Sequence, residues 1–568
     1  MANIISSVLM FTTLVVPSAI KEANLSAPIT RRGAGETVEL RLMNVQDYIY
    51  VHDDEDPESL PDLVKQFEEF ASAETGYKVS VSYKTTDTPE SMFNEVKLAP
   101  NNFDLICPSD YMIQKLITND MIQPLEIDET HLPNYVTYAS KQIKGRLDAI
   151  EAKDKDGNPV YLKDYAVGYM WGTLGLLFDP SYGGRDPDQT IEDMSEWATL
   201  WNPDYKGISS IKDSVRDTYA IGLLYAFDED FEEANGETAE GFRTLMEKHE
   251  DGTYDDETFN SKFSELFNRC DNATLNKVQK SLTKLKGNVF GMEVDSGKQD
   301  IVTGKIGINF AWSGDAVYSM EQALEEKNLE LYYSIPNTGS NIWMDAWCMP
   351  KANRSEAQTE LAYLFLDFLS TPEITAQNMD YTGYTPFTAG NEILDLTREW
   401  YDARYDEEAE EQDFSIPTNS EIAEKGLQKV DLSYFFAGTL TDEDGNPLDE
   451  DATKEACTFY SDSYLPAAET DDEGNIIGGN RAVGMDFFCQ FPDEYTLSRC
   501  AVMRDFGPQN DAVLKMWERF KSNALPVWAI ILFVVEILAA LGLVGYFYIG
   551  KRVKHSLRKK RKEEQNKK

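Results

Sequence analysis

Carboxylates dominate the chemistry this chain could do. Its 568 residues hold 99 Asp and Glu against 53 Lys and Arg, a formal charge of −46. The last 18 residues carry ten Lys/Arg and two Glu, so residues 1–550 carry −54. Such a body repels nucleic acid and anionic lipid and concentrates small cations, although acidity also serves simply to keep a surface protein soluble. Three acidic runs, DKDGNP from Asp154, DEDGNP from Asp442 and DDEGN from Asp471, invite a calcium reading. Their glycine comes too early for a twelve-residue calcium loop, which needs it at the sixth position, and Asp-Gly in short polar runs is ordinary turn chemistry.

Other reactive groups are sparse. Four histidines (His52, His131, His249, His555) are dispersed, and G-x-S-x-G, H-E-x-x-H and P-loop motifs are absent, so the sequence points away from an enzyme and implies no cofactor. Six cysteines (Cys107, Cys270, Cys348, Cys457, Cys489, Cys500) show no C-x-x-C spacing. One disulfide among Cys457, Cys489 and Cys500 is an open alternative to free thiols.

The elements that must position these groups follow from periodicity. VELRLMN predicts a strand, ESLPDLVKQFEEFASAE an amphipathic helix stopped at Gly76, and KVSVSYKT a second strand. PESMFNEVKLA, FDLICPS and YMIQKLITND continue as helix, strand and helix. This βαβαβα run predicts a parallel sheet, whose ligands gather at the carboxyl ends of strands; MNVQDY and CPSDY stand there. A second α/β section begins near Val160, with SEWATLWNPDYKG read as a helix, ISSIKDS, KIGINFAW, LELYYSIP and IWMDAWCMP as strands, and SEAQTELAYLFLDFLS as a long helix. From about Thr388 to Gln490 the pattern weakens into an acidic stretch, before VLKMWERFKS predicts a last helix.

Leu525 to Ile549 is 25 residues with one ionisable group, Glu536, followed by Lys/Arg-rich sequence. It predicts a transmembrane helix in the lipid bilayer, with a cytoplasmic tail and everything before it outside. Ile4 to Ile20 reads as a signal-peptide core without a positive n-region, or as an uncleaved membrane helix. Glu536 within the span either pairs with a polar group of a membrane partner or is tolerated protonated.

Seven segments in order, MNVQDYI, FDLICPSDYMIQKLITNDMIQPL, WATLWNPDYKG, SSIKDSVRDTYAIGLL, GINFAWSGDAVYSM, YSIPNTGSNIWMDAWCMP and TGYTPFT, with a weaker match at FPDEYTLSRC, are similar to the spermidine/putrescine-binding proteins of ABC polyamine importers. The resemblance covers roughly residues 39–390 and 490–521. It implies an α/β, two-lobed periplasmic-binding-protein-like (type II) fold closing on a polyamine, here with an acidic insertion and one C-terminal transmembrane helix. The expected layout is a signal-like or anchor segment and linker (1–37), lobe 1 (38–160 and 343–390), lobe 2 (161–342 and 391–521, including the insertion 388–490), a transmembrane helix (525–549) and a basic tail (550–568). Implied partners are putrescine or spermidine, membrane permease subunits and, through them, an ATPase, with no nucleic acid. An outside-facing, helix-anchored receptor suits a bacterium without an outer membrane.

The resemblance assigns ligand carboxylates to Asp217, Asp315 and Asp345, with Asp47 a fourth. Aromatic walls fall to Trp312, Trp343, Tyr48, Tyr111 and Tyr384, and a hydroxyl to Ser109. Carboxylates suit protonated amines through charge-assisted hydrogen bonds, and aromatic faces add cation–π attraction of about 0.5–2 kcal/mol each. Three departures bear on the ligand: Val45 and Ser214 stand where relatives carry Trp and Asp, and Met503 where they carry Gln. Each candidate also has a plain structural role, Trp as core and Asp in SGD or KDS as a helix N-cap. Receptors for ferric iron, a sugar or a phosphonate, or a membrane-anchored sensor for another small cation or solute, are the competing readings.

Overall fold

The computed structural model describes residues 35–53, 59–233, 235–409 and 412–522. The chain divides into two compact units, Met1–Asn510 and Asp511–Lys568. Among the described residues no helix is long and apolar enough to cross a membrane. The expected span at 525–549 with Glu536, and the segment 4–20, lie outside the described residues.

The first unit begins as its alternation dictates. Strand β1 (Thr37–Val45) leads to α1 (Leu63–Thr75), which ends at Gly76 in the left-handed region (φ 77°), where glycine has no Cβ penalty. Strand β2 (Lys78–Thr86), α2 (Pro89–Leu98), the short β3 (Leu105–Ile106) and α3 (Asp110–Thr118) follow. β2 and β3 flank β1, both parallel to it.

The next strand, β4 (Ala166–Phe178), is buried at all 13 positions, as its unbroken apolar reading AVGYMWGTLGLLF requires of a strand covered on both faces. The second group of strands and its helices are β5 (Ser209–Lys212), α4 (Val215–Ala226), β6 (Gly291–Glu293), β7 (Ile308–Trp312) and α5 (Ser313–Lys327). β5 pairs parallel with both β6 and β7, and β7 pairs antiparallel with β4. Strand β8 (Ser340–Pro350) completes the plan, followed by α6 (Glu356–Leu369), which opens on a Ser355/Gln358 capping box.

Read across, the sheet order is β2-β1-β3-β8-β4-β7-β5-β6. The parallel strands therefore form two groups, one per lobe, with antiparallel β4 and β8 running between them. β4 and β8 pair from Ala166–Cys348 to Thr173–Ile342, with a bulge between Asp345 and Ala346.

One local expectation fails. The segment SEWATLWNPDYKG does not form one α-helix. It makes two 3₁₀ turns, Trp197–Trp201 and Pro203–Tyr205, because Asn202 precedes a proline and is held in the extended region. The stretch 388–490 is far from patternless. It holds helices Asn391–Tyr401, Asn419–Lys425 and Glu450–Ala456 and an antiparallel pair, Gln428–Asp431 with Thr458–Ser461. Its acidic surface masks an aromatic interior, in which Tyr401 stacks on Phe487 at 4.6 Å and Phe435 meets Phe436 at 4.9 Å. Charge is dense along this sequence, but Tyr401 and Phe487 are far apart in it.

The three Asp-Gly runs are turns. Asp154, Asp442 and Asp471 each turn a carboxylate oxygen back onto backbone N–H groups two and four residues later. The six cysteines are free thiols, five of them buried. Burial pushes the Cys457 thiol up to about 12 and the Cys500 thiol up to about 11.

Candidate ligand-binding site

The carboxyl ends of the parallel strands converge where β4 and β8 pass between the lobes. Beyond the end of β1 the chain turns through Asp47, held at φ 52°, and delivers Tyr48. Beyond β3 comes Ser109. In the second lobe β5, β6 and β7 end on Lys212, Glu293 and Trp312. The first turns of α3, α4 and α5 add Tyr111, Asp217 and Asp315, with both aspartates at helix N-termini where the backbone dipole favours anions. Trp343 and Asp345 come from β8 itself.

Tyr384 is the hub. Its ring meets Tyr48 edge-on at 4.9 Å and Trp343 at 5.6 Å, and its hydroxyl donates to Asp315 Oδ1 at 2.7 Å. Gly314 permits this: a Cβ there would lie 2.3 Å from the Tyr384 ring. Trp343 is fixed by its indole N–H donating to the Thr173 carbonyl at 3.1 Å.

Asp345 stands at the bulge in β8. The Tyr48 hydroxyl donates to its Oδ2 at 2.8 Å, while Oδ1 is buried with no hydrogen-bond donor in place. Burial pushes this carboxyl up to about 6, with the Ser109 and Tyr48 hydroxyls acting against the rise. No cationic side chain among the described residues pairs with it. Neighbouring Asp110, which sequence reasoning passed over, is also raised by burial; its Oδ2 accepts the Met344 N–H at 3.1 Å.

Asp315 is the opposite case. Its Oδ2 lies 3.2 Å from the Lys212 ammonium and its Oδ1 3.8 Å from that of Lys298. Lys212 is fully buried, also pairs with Glu293 at 3.1 Å, donates to the Val294 carbonyl at 3.0 Å, and sits 4.2 Å over the Trp312 ring. Burial alone would lower the Lys212 ammonium's pKa, but Asp315 and Glu293 outweigh it and the value is raised. Asp315 is thus not a helix cap; its carboxylate is spent on side chains from three other elements.

A third group lies across the lobes. The Tyr111 hydroxyl donates to Glu90 at 3.2 Å, and burial raises Asp217 to about 6. Nearby Glu90 adds to that rise, while Lys212 and Arg216 oppose it. Ser214 caps α4 by accepting the Asp217 N–H. Asp47 is exposed and acts electrostatically on Lys298. Met503 is buried, and its carbonyl accepts from Gln114 at 3.1 Å.

All ten sequence candidates therefore belong to one region, but the residues that set its charge, Lys212, Glu293, Lys298 and Glu90, were not among them. A signal existed for Lys212: it closes the otherwise uncharged, buried strand SSIK.

Two lobes of parallel strands are thus joined by two through-running strands, with a polar and aromatic cluster at the strand ends between them. The model of the bacterial extracellular solute-binding protein family matches residues 62–394, and the chain belongs to that family. The spermidine/putrescine-binding periplasmic protein of Escherichia coli is 24% identical over 336 residues, 59% of this chain and 76% of that protein. The E. coli putrescine-binding periplasmic protein PotF is 25% identical over 364 residues, 62% of this chain and 78% of its own. A crystal structure of the spermidine/putrescine substrate-binding protein PotD from Streptococcus pneumoniae superposes with a TM-score of 0.46 at 19% identity, covering 85% of this chain and 98% of that one.

Proposed function

We propose that this chain is the extracellular substrate-binding component of an ABC-type polyamine importer, which captures a protonated amine between its lobes and passes it to a membrane permease served by an ATPase. The observation that carries this is Asp345: a carboxylate without a counter-charge, held by Tyr48 and bordered by the rings of Trp343 and Tyr384. A buried charge left unpaired is costly, and an organic ammonium with methylenes for the rings would supply both the charge and the contact. The similarity to polyamine-binding relatives supports the same reading. Asp47, Ser109, Tyr111 and Asp217 complete the proposed ligand contacts, with Trp312 and Asp315 at their border and engaged by Lys212.

The segment 525–549 would tether the receptor to the membrane with its tail inside the cell, Glu536 meeting the permease. The proposal takes 38–160 with 343–390 as one lobe, 161–342 with 391–521 as the other, and 388–490 as an insertion. Calorimetric titration of the full chain with putrescine, spermidine, spermine and an uncharged diol tests the reading. Saturable binding of an amine but not the diol is expected; no heat with any polyamine would refute it.

A further inference from the structure

Lys212 is an ammonium in a cation site. The acceptors around it are what an incoming amine would need: Glu293 at 3.1 Å, Asp315 at 3.2 Å, the Val294 carbonyl at 3.0 Å and the Trp312 face at 4.2 Å. The ammonium donates to the Val294 carbonyl and Asp315 Oδ2, and Glu293 Oε1 pairs with it by charge. Both oxygens of Asp315 are engaged, since the other accepts the Tyr384 hydroxyl and faces Lys298. Trp312, Asp315 and Glu293 are thus already engaged by the chain's own cation. Among the described residues Asp345 on β8, its neighbour Asp110, and Asp217 and Glu90 have no ion-pair partner, and the aromatic cluster lies beside Asp345.

We infer that Lys212 determines specificity by standing in for one amine of the ligand, so that the site takes diamines and discriminates against triamines and tetramines. The inference rests on the polyamine reading above. A third ammonium would have to displace Lys212 from two carboxylates and a ring, or remain against a lysine of like charge. A diamine meets neither obstacle. Lys212 enters β5 from the sequence SSIK with no freedom to withdraw, because it is fully buried and its own carbonyl is bound by the Thr218 hydroxyl at 2.6 Å.

The test compares putrescine, longer α,ω-diamines and spermidine on the full chain and on Lys212→Met and Lys212→Arg. The wild-type chain is expected to bind putrescine at least tenfold more tightly than spermidine, about 1.4 kcal/mol. Lys212→Met leaves Asp315 and Glu293 facing an apolar side chain, so spermidine gains at least tenfold relative to putrescine; Lys212→Arg keeps the wild-type preference. Loss of stability in Lys212→Met would follow from a merely structural lysine as well, so the ratio of affinities is the deciding readout. An unchanged ratio, with polyamines still bound, overturns the role of Lys212 alone. No polyamine binding by wild type overturns the polyamine reading and this inference with it. Should Lys212→Met not fold, the wild-type series decides: spermidine bound as tightly as putrescine refutes the inference.

Discussion

Replacing Asp345 by Asn should weaken ligand binding and strengthen the empty protein, two effects of opposite sign from one atom. The carboxyl is pushed from its ordinary 3.8 to about 6 by burial. A folded-state value above the unfolded one means the native state holds the proton more tightly, so stability from this group is present at low pH and lost as pH rises from about 4 through about 6. At pH 7.5 the ionised group therefore costs about 3 kcal/mol, and at pH 5 about half that. Asn keeps an acceptor for the Tyr48 hydroxyl without the charge. Urea denaturation should show the variant more stable than wild type at pH 7.5, with the gap narrowing by roughly half at pH 5. Titration with putrescine should show an affinity loss of about 10- to 150-fold, the range of a charge-assisted hydrogen bond worth about 1.5–3 kcal/mol. A variant less stable than wild type at both pH values, with binding intact, would refute the reasoning and make Asp345 a structural support.

Wild-type affinity for a cation should fall as pH drops from 7.5 to 5, by about tenfold for each of Asp345 and Asp217, since both protonate near 6; calorimetry across that range would show a flat profile if neither touches the ligand. Gly314→Ala places a methyl against the Tyr384 ring and should cost about 1–3 kcal/mol of stability with loss of binding, read by denaturation and titration together. Ser355→Ala removes half of the capping box on α6, far from the site, and should lower stability by about 1 kcal/mol with no change in affinity.

Much of the frame was legible because it depends on local pattern. β1, α1, β2 and α2 follow alternation and turn chemistry, and the rule that ligands gather at strand carboxyl ends placed Tyr48 and Ser109. What sequence could not show is which charge meets which. Asp315 lies 103 residues from Lys212 and 69 from Tyr384, and no local pattern couples them. The same holds for Tyr401 and Phe487, whose stacking organises a stretch that reads as mere acidity. Asn202–Pro203 is a different kind of miss: the proline was visible, and it was the apolar spacing of WATLW that argued wrongly for a continuous helix.

The bulge in β8 carries a mechanical consequence. Asp345 sits on a ribbon that runs between the two groups of parallel strands, beside the bulge in its pairing with β4. In a receptor whose jaws swing about these ribbons, a grip at the fulcrum changes little as the jaws part. Tyr111 stands in the first turn of α3 and Asp217 in the first turn of α4, at the ends of strands from different groups. In the proposed receptor, a cargo held by both groups of strands would leave the strand ends first and the shared ribbon last.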